Sequence, residues 1–373
     1  MKAKFFFPIF ALLSLLCACE GTPDSGQNNG DLLDGKISLL VDHEFIRANG
    51  TESAKFTVFL QDNNGMFHDV TANSEIYLVG NDTPLTEPRF VTIESGSWKF
   101  YALYGLEVSN EVGVRSVAGI ADIPADSAPE STNFHHRILL LQHTGTACPA
   151  CPTMMSILKT LSEDNAYNTR YNHVASHSYT YSSEYPDLAH SSAADELSRA
   201  LYVMMYPWVT FNLTEVTESE LADIKAQIDV LHKTPADVGI ALSASEANGS
   251  IYANIAVKAG KSNKYRMAIW LLEDGIFAKQ VGKQYSWQDT HNNALRAMVG
   301  ANKTERIYGK NIGTIEAGQT FESIVAIDIE EDWVAKNCEV MVLITAEDER
   351  GNYDVVNTAV CSVGSALAYE YNN

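Results

Sequence analysis

Cys148-Pro149-Ala150-Cys151-Pro152-Thr153 stands between two segments of different periodicity. Before it, Ile138-Leu139-Leu140-Leu141 is an unbroken apolar run and predicts a buried strand. After it, Met154, Met155, Ile157, Leu158 and Leu161 recur at helical spacing and predict a helix to about Leu161. Two sulfurs at this spacing can close a small disulfide across the first helical turn. A helix N-terminus favours negative charge and lowers the pKa of the first thiol.

Further along, strand and helix patterns alternate. A strand is expected near Val174-Ala175-Ser176-His177 and a helix from Ala193 to Met204, with Leu197 and Leu201 on one face. Tyr206-Pro207 then leads into an apolar strand, Trp208 to Phe211. A last helix, Thr217 to Leu231, carries Leu221, Ile224, Ile228 and Leu231 along one side, with Thr217 and Glu220 as a capping box. The strand–CxxC–helix unit and the later Tyr206-Pro207 resemble thioredoxin-like domains. That resemblance implies thiol–disulfide exchange on a thiol-containing protein substrate. Cys148 would attack, Cys151 would resolve the mixed disulfide, and Tyr206 with a cis Pro207 would shape the substrate groove. Ala147 stands where thioredoxins carry Trp, and Pro152 suggests that the regular helix starts late. A permanent structural disulfide or an inert pair is the competing reading, so whether the chain is an enzyme stays open. Zinc is disfavoured because no second CxxC or HxxxH follows, and no cofactor is expected. The ten histidines, among them His135, His136, His173, His177 and His190, show no ligand spacing.

The N-terminal end reads as an export signal. Lys2 and Lys4 precede an apolar core, Phe5 to Leu16, too short to span a bilayer. Leu16-Cys17-Ala18-Cys19 resembles a bacterial lipoprotein box, which implies cleavage before Cys19 and a membrane anchor of acyl chains on that residue. The alternative is an ordinary secretory signal cut nearby. Residues 19–35 are rich in Gly, Asn, Asp and Ser and read as a flexible tether. The net charge of −21 falls to −23 once Lys2 and Lys4 leave, a balance that argues against nucleic acid and against docking on an anionic membrane face.

Residues 36–121 alternate in short runs, Ile37-Leu39-Val41 and Phe56-Val58-Leu60, broken by turns such as Asn63-Asn64-Gly65. They predict an antiparallel β-sandwich and resemble bacterial immunoglobulin-like repeats. Residues 122–133 read as a linker. Residues 134–234 form the expected thioredoxin-like domain. Residues 235–365 return to β patterning, with strands at Val238–Ala244, Ser250–Val257, Tyr265–Leu272, Thr320–Ile327, Val340–Thr345 and Val355–Val360. This block is read as a second β-sandwich, with Gln284 to Lys310 as a long loop containing one helical turn. Cys338 and Cys361 flank a hairpin and are expected to form a structural disulfide, two free buried thiols being the alternative. The expected fold is therefore multidomain α+β: Ig-like sandwich, thioredoxin-like α/β domain, C-terminal sandwich.

The lipoprotein box, the CxxCP centre and His291-Asn292-Asn293-Ala294-Leu295-Arg296 in the β block together resemble a family of outer-membrane lipoproteins named after a member of about 28 kDa. The resemblance covers residues 134 to 365. It implies a lipid-anchored protein of the outer membrane, facing either the periplasm or the outside. Two functions follow as expectations: an envelope thiol–disulfide oxidoreductase, or a non-catalytic surface lipoprotein that binds a protein or glycan partner through its β domains.

Overall fold

A computed structural model of the chain describes residues 33–179, 186–214, 218–348 and 351–372. The signal segment, Cys19, most of the tether and Thr217 lie outside them. The chain divides into two compact units: Met1–Ile120 with Ser323–Val325, and Ala121–Glu322 with Ala326–Asn373.

The first unit is two sheets over one core. One holds β1 (Gly35–Val41), β3 (Ala54–Asp62), β4 (Phe67–Asp69) and β6 (Arg89–Phe90). The other holds β2 (Phe45–Arg47), β5 (Glu75–Leu78), β7 (Gly96–Tyr104), β8 (Glu107–Val108) and β9 (Val112–Val117). Alternate residues Ile37, Leu39, Phe56, Val58 and Leu60 meet Ile46, Ile76, Phe100 and Val114 in that core, as the period-2 pattern requires. One pairing, β2 with β9, is parallel, a departure from the expected all-antiparallel pattern.

The second unit corrects the expected fold class. Its centre is one eight-stranded sheet in the order β12 (Trp208–Phe211), β10 (Ile138–Thr144), β11 (Tyr171–His177), β18 (Ala294–Val299), β15 (Asn263–Glu273), β21 (Cys338–Glu347), β22 (Tyr353–Ser362), with β19 (Lys310–Ile315) also on β15. A second sheet orders β20 (Thr320–Asp328), β14 (Ser250–Ala259), β13 (Val238–Ala247) and β23 (Ser365–Leu367), and a short one pairs β16 (Ile276–Phe277) with β17 (Thr290–His291). Four α-helices occur among the described residues: α1 (Cys151–Ser162), α2 (Ser192–Ala200), α3 (Leu221–Leu231) and α4 (Lys303–Tyr308). The chain is predominantly β, and no self-contained thioredoxin-like α/β domain stands apart from a C-terminal sandwich. The reason is β18, which pairs parallel to β11 at Ala175↔Ala294 and antiparallel to β15, so the expected two bodies share one sheet. β18 falls in the segment expected to be a loop. Its centre is Arg296, buried beside Glu273 of β15 at 3.0 Å, and a buried arginine breaks the apolar signature by which a strand is recognised.

Other expectations are adjusted locally. All six strands expected after Val238 are present, most of them longer than their apolar cores. α1 begins at Cys151 itself: Pro152 sits in the first turn, where no backbone donor is needed, so the helix does not start late. α2 ends at Ala200, and Ser191 caps it by accepting a hydrogen bond from the Ala194 N–H at 3.1 Å. The 122–133 segment belongs to the second unit, where Asp126 takes hydrogen bonds from Lys258 Nζ at 3.0 Å and Tyr371 Oη at 2.7 Å.

The Cys338–Cys361 disulfide is a further correction: both are free, buried thiols. The hairpin of β21 and β22 forms as expected, but its register sets Cys361 opposite Val340, leaving Cys338 as its diagonal neighbour. Diagonal positions across a sheet are about 7–8 Å apart, beyond the roughly 4 Å between Cβ atoms that a disulfide needs. Burial pushes the Cys338 thiol up to about 12, and burial raises that of Cys361 too. Neither is therefore a nucleophile near neutrality. Native protein should leave both unlabelled by iodoacetamide at pH 8 over an hour, and both should alkylate once unfolded. Mapping a 338–361 bridge by mass spectrometry would refute this register.

Candidate functional site

β10 delivers the chain to Gly145, and a turn carries Cys148 to the start of α1. Cys148 and Cys151 are joined as a disulfide, Cα atoms 5.4 Å apart. They are 2% and 0% exposed. The cover comes from the segment between β16 and β17. Gln280 Nε2 donates to Cys148 O at 3.0 Å and Thr146 O at 3.2 Å, and Val281 N–H donates to Thr146 O at 2.8 Å. Gln288 Nε2 donates to Pro152 O at 2.8 Å. Gly282 lies so close that a Cβ there would stand 2.5 Å from Pro149 O, and its φ of +72° also favours glycine.

Asp187 ties the same turn to β11. Its carboxylate accepts from Thr146 N–H at 2.9 Å and from Ala189 N–H at 3.0 Å, and pairs with His177 Nδ1 at 2.9 Å. Burial works against ionisation, but the His177 ring and the two N–H donors outweigh it and hold the carboxyl well below the usual carboxylate range. On the opposite face of β10, His143 contacts Ser198 Oγ at 2.9 Å and Thr210 Oγ1 at 3.2 Å. Burial pulls its pKa down to about 3.

Of the site residues named from sequence, Cys148 and Cys151 are bonded to each other. The Tyr206-Pro207 peptide is cis. The β10–β12 register ends at His143↔Trp208, so Pro207 stands at the end of β10 from which the cysteine turn departs. Tyr206 is engaged locally: its hydroxyl is 3.0 Å from Ser178 Oγ and its ring meets Tyr179 edge-on.

A cleft that the sequence reading missed opens over β11. Parallel pairing puts Gln142 and Thr144 of β10 on the same face as Tyr171, His173, Ala175 and His177 of β11. α1 forms one wall with Met155, Leu158 and Lys159. Trp287, His291 and Asn293 form the other. The cleft holds about 730 Å³. Desolvation lowers the pKa of His173 and of His291 to about 4, so both rings are neutral at pH 7. No group of His, Cys, Asp and Glu suited to a metal ion occurs among the described residues. The signal available in the sequence was the i, i+2, i+4 spacing of His173, Ala175 and His177, which places both imidazoles on one face of a strand.

Comparison with known proteins bears on this unit. The family model "Outer membrane protein Omp28" matches residues 194–363. That stretch contains β18, the cover segment and the Trp287–Asn293 wall, and it leaves out Cys148 and Cys151. Among solved structures, HBP35 of Porphyromonas gingivalis is similar at 14% identity and a TM-score of 0.50, over 65% of this chain and 80% of that one. This is a likeness of fold. The adhesin InvE of Yersinia pseudotuberculosis overlays at a TM-score of only 0.17, with 8% identity, over 88% of this chain and 58% of that one. No curated protein matches.

Proposed function

We propose that this chain is an outer-membrane lipoprotein, held by acyl chains at Cys19, that acts by binding and not by thiol–disulfide exchange. The location is supported by the name of the family whose model matches residues 194–363, and the anchor by the apolar-x-small-Cys junction at Leu16–Cys19. The observation that carries the non-catalytic reading is the burial of both cysteines, in a turn whose backbone is held by Gln280 and Val281 and closely packed by Gly282. An exchanging protein thiol must approach one sulfur in line with the S–S bond, and access limits that step. In this reading the Cys148–Cys151 disulfide pins the turn that connects β10 to α1. The exposed apolar run Tyr202, Met204 and Met205, beside Pro207, is the kind of surface that favours a binding role.

The test is disulfide access. Folded protein in 1 mM dithiothreitol should keep the Cys148–Cys151 bond for hours, and Gly282→Ala should speed its reduction about tenfold or more by prising the cover from Pro149. Insulin-reduction turnover that disappears in Cys148→Ser would overturn the reading and restore a thiol-containing protein substrate. For the anchor, metabolic labelling with a palmitate analogue should be lost in Cys19→Ala. Impermeant amine labelling of intact cells reports which face of the membrane the protein occupies.

A further inference from the structure

We propose that the cleft between α1 and Trp287 is a binding site for a small amphipathic carboxylate, an acid group on an aromatic or aliphatic body. This deepens the binding role given above by naming a ligand class, and it does not depend on the state of the disulfide.

The argument begins with unpartnered polar atoms. Gln142 Nε2, Thr144 Oγ1 and His173 Nε2 are buried without a hydrogen-bond partner, and all three residues line the cleft. Gln142 and Thr144 are 4% and 3% exposed. A buried donor left unmade costs about 1–3 kcal/mol, so three in one place mark a site whose partner arrives from outside.

Their chemistry sets the ligand's charge. His173 Nδ1 stands 3.3 Å from the Asn293 amide nitrogen, which donates to it, so the ring proton lies on Nε2. Gln142 Nε2 and the Thr144 hydroxyl are further donors. Lys159 stands at the rim, its Nζ 5.8 Å from the centre of the Trp287 ring and 2.5 Å from Glu163 Oε1. No aspartate or glutamate is among the lining residues. A pocket whose lining offers these donors and no carboxylate is complementary to an anion that accepts several hydrogen bonds.

The remaining walls set the ligand's body. Met155 and Leu158 from α1, Ala175 and Tyr171 from β11 and the Trp287 indole give apolar surface beside the donors. A volume of about 730 Å³ suits a small organic acid. An inorganic anion such as phosphate would leave most of that surface wet. Asp187 accounts for one nearby ring: it pairs with His177 Nδ1, leaving His173, Gln142 and Thr144 as the free donors.

The experiment is calorimetric titration of the intact mature protein with 2-naphthoate and with decanoate, each compared with its primary amide. At least one acid should bind, and its amide at least tenfold more weakly. Gln142→Leu should weaken the acid about tenfold, the value of one hydrogen bond to a charged acceptor. It should leave the thermal midpoint of the ligand-free protein unchanged or higher, because it deletes an unmade donor. His173→Phe with unaltered far-UV circular dichroism should weaken binding as well. Neither acid binding, equal binding of acid and amide, or a lower midpoint in Gln142→Leu with binding intact would each overturn the site. Such a failure leaves the dithiothreitol resistance of the disulfide as it was. Insulin turnover would overturn the non-catalytic reading without altering these titrations.

Discussion

Glu273→Ala should destabilise the second unit by about 3–5 kcal/mol, the cost of leaving a buried charge without its partner. Glu273 and Arg296 are both almost fully buried and meet at 3.0 Å where β15 and β18 run side by side. Glu273 Oε1 also accepts the Val334 N–H at 2.9 Å. Arg296 keeps a second acid, Asp332 at 3.0 Å, but that carboxylate is largely in solvent and offers a screened interaction. At about 2–4 °C per kcal/mol for a body of this size, the melting midpoint should fall by roughly 6–20 °C. The double variant Glu273→Leu with Arg296→Met should recover most of that loss, because it removes both charges and keeps the volume. A single-variant cost below about 1 kcal/mol would mean that water reaches the pair and that β18 is held by its backbone alone.

The second large effect is acid lability. His136, His143, His173 and His291 are all held neutral, chiefly by desolvation: His143 with its pKa down to about 3, the others to about 4. In the unfolded chain each titrates near its ordinary value of about 6.5. The sign follows directly. Above pH 6.5 neither state binds these protons, and the stability is complete. As the pH falls from 6.5 towards 4 the unfolded state takes them up and the folded state does not, so stability declines through that window. At pH 5 the loss is on the order of 2 kcal/mol for each fully buried ring, roughly 6 kcal/mol for His136, His143 and His291 together. Urea midpoints at pH 7 and pH 5 measure it, and unfolding at pH 5.5 should take up roughly three to four protons at the four rings. His143→Gln should reduce that uptake by one. A pH-independent midpoint across the window would show that the rings are charged in the folded protein.

Much of the local structure was legible in the sequence, and the joints between its parts were not. Alternation identified the strands because each buries one face or both. Spacing located α1 and α3 because their apolar stripes are regular. The fold class failed at one strand. Ala294–Val299 carries Arg296 at its centre, and its ion pair lies in residues more than twenty positions away, which no window along the chain can see. The cysteine staple failed for a similar reason: the hairpin was visible, but a register offset of two residues decides whether two thiols meet. The cleft escaped because its two walls are more than a hundred residues apart along the chain. His291-Asn292-Asn293 was legible as a family mark and not as a wall facing His173.

The clasp on the cysteine turn carries a consequence for biosynthesis. Gln280, which seals Cys148, follows it by 132 residues. A polypeptide emerging amino end first therefore presents both sulfurs naked for the whole interval before their seal exists. Pairing of the thiols belongs to that early window, and a chain that completes itself while still reduced would have to reopen before any oxidant could reach them.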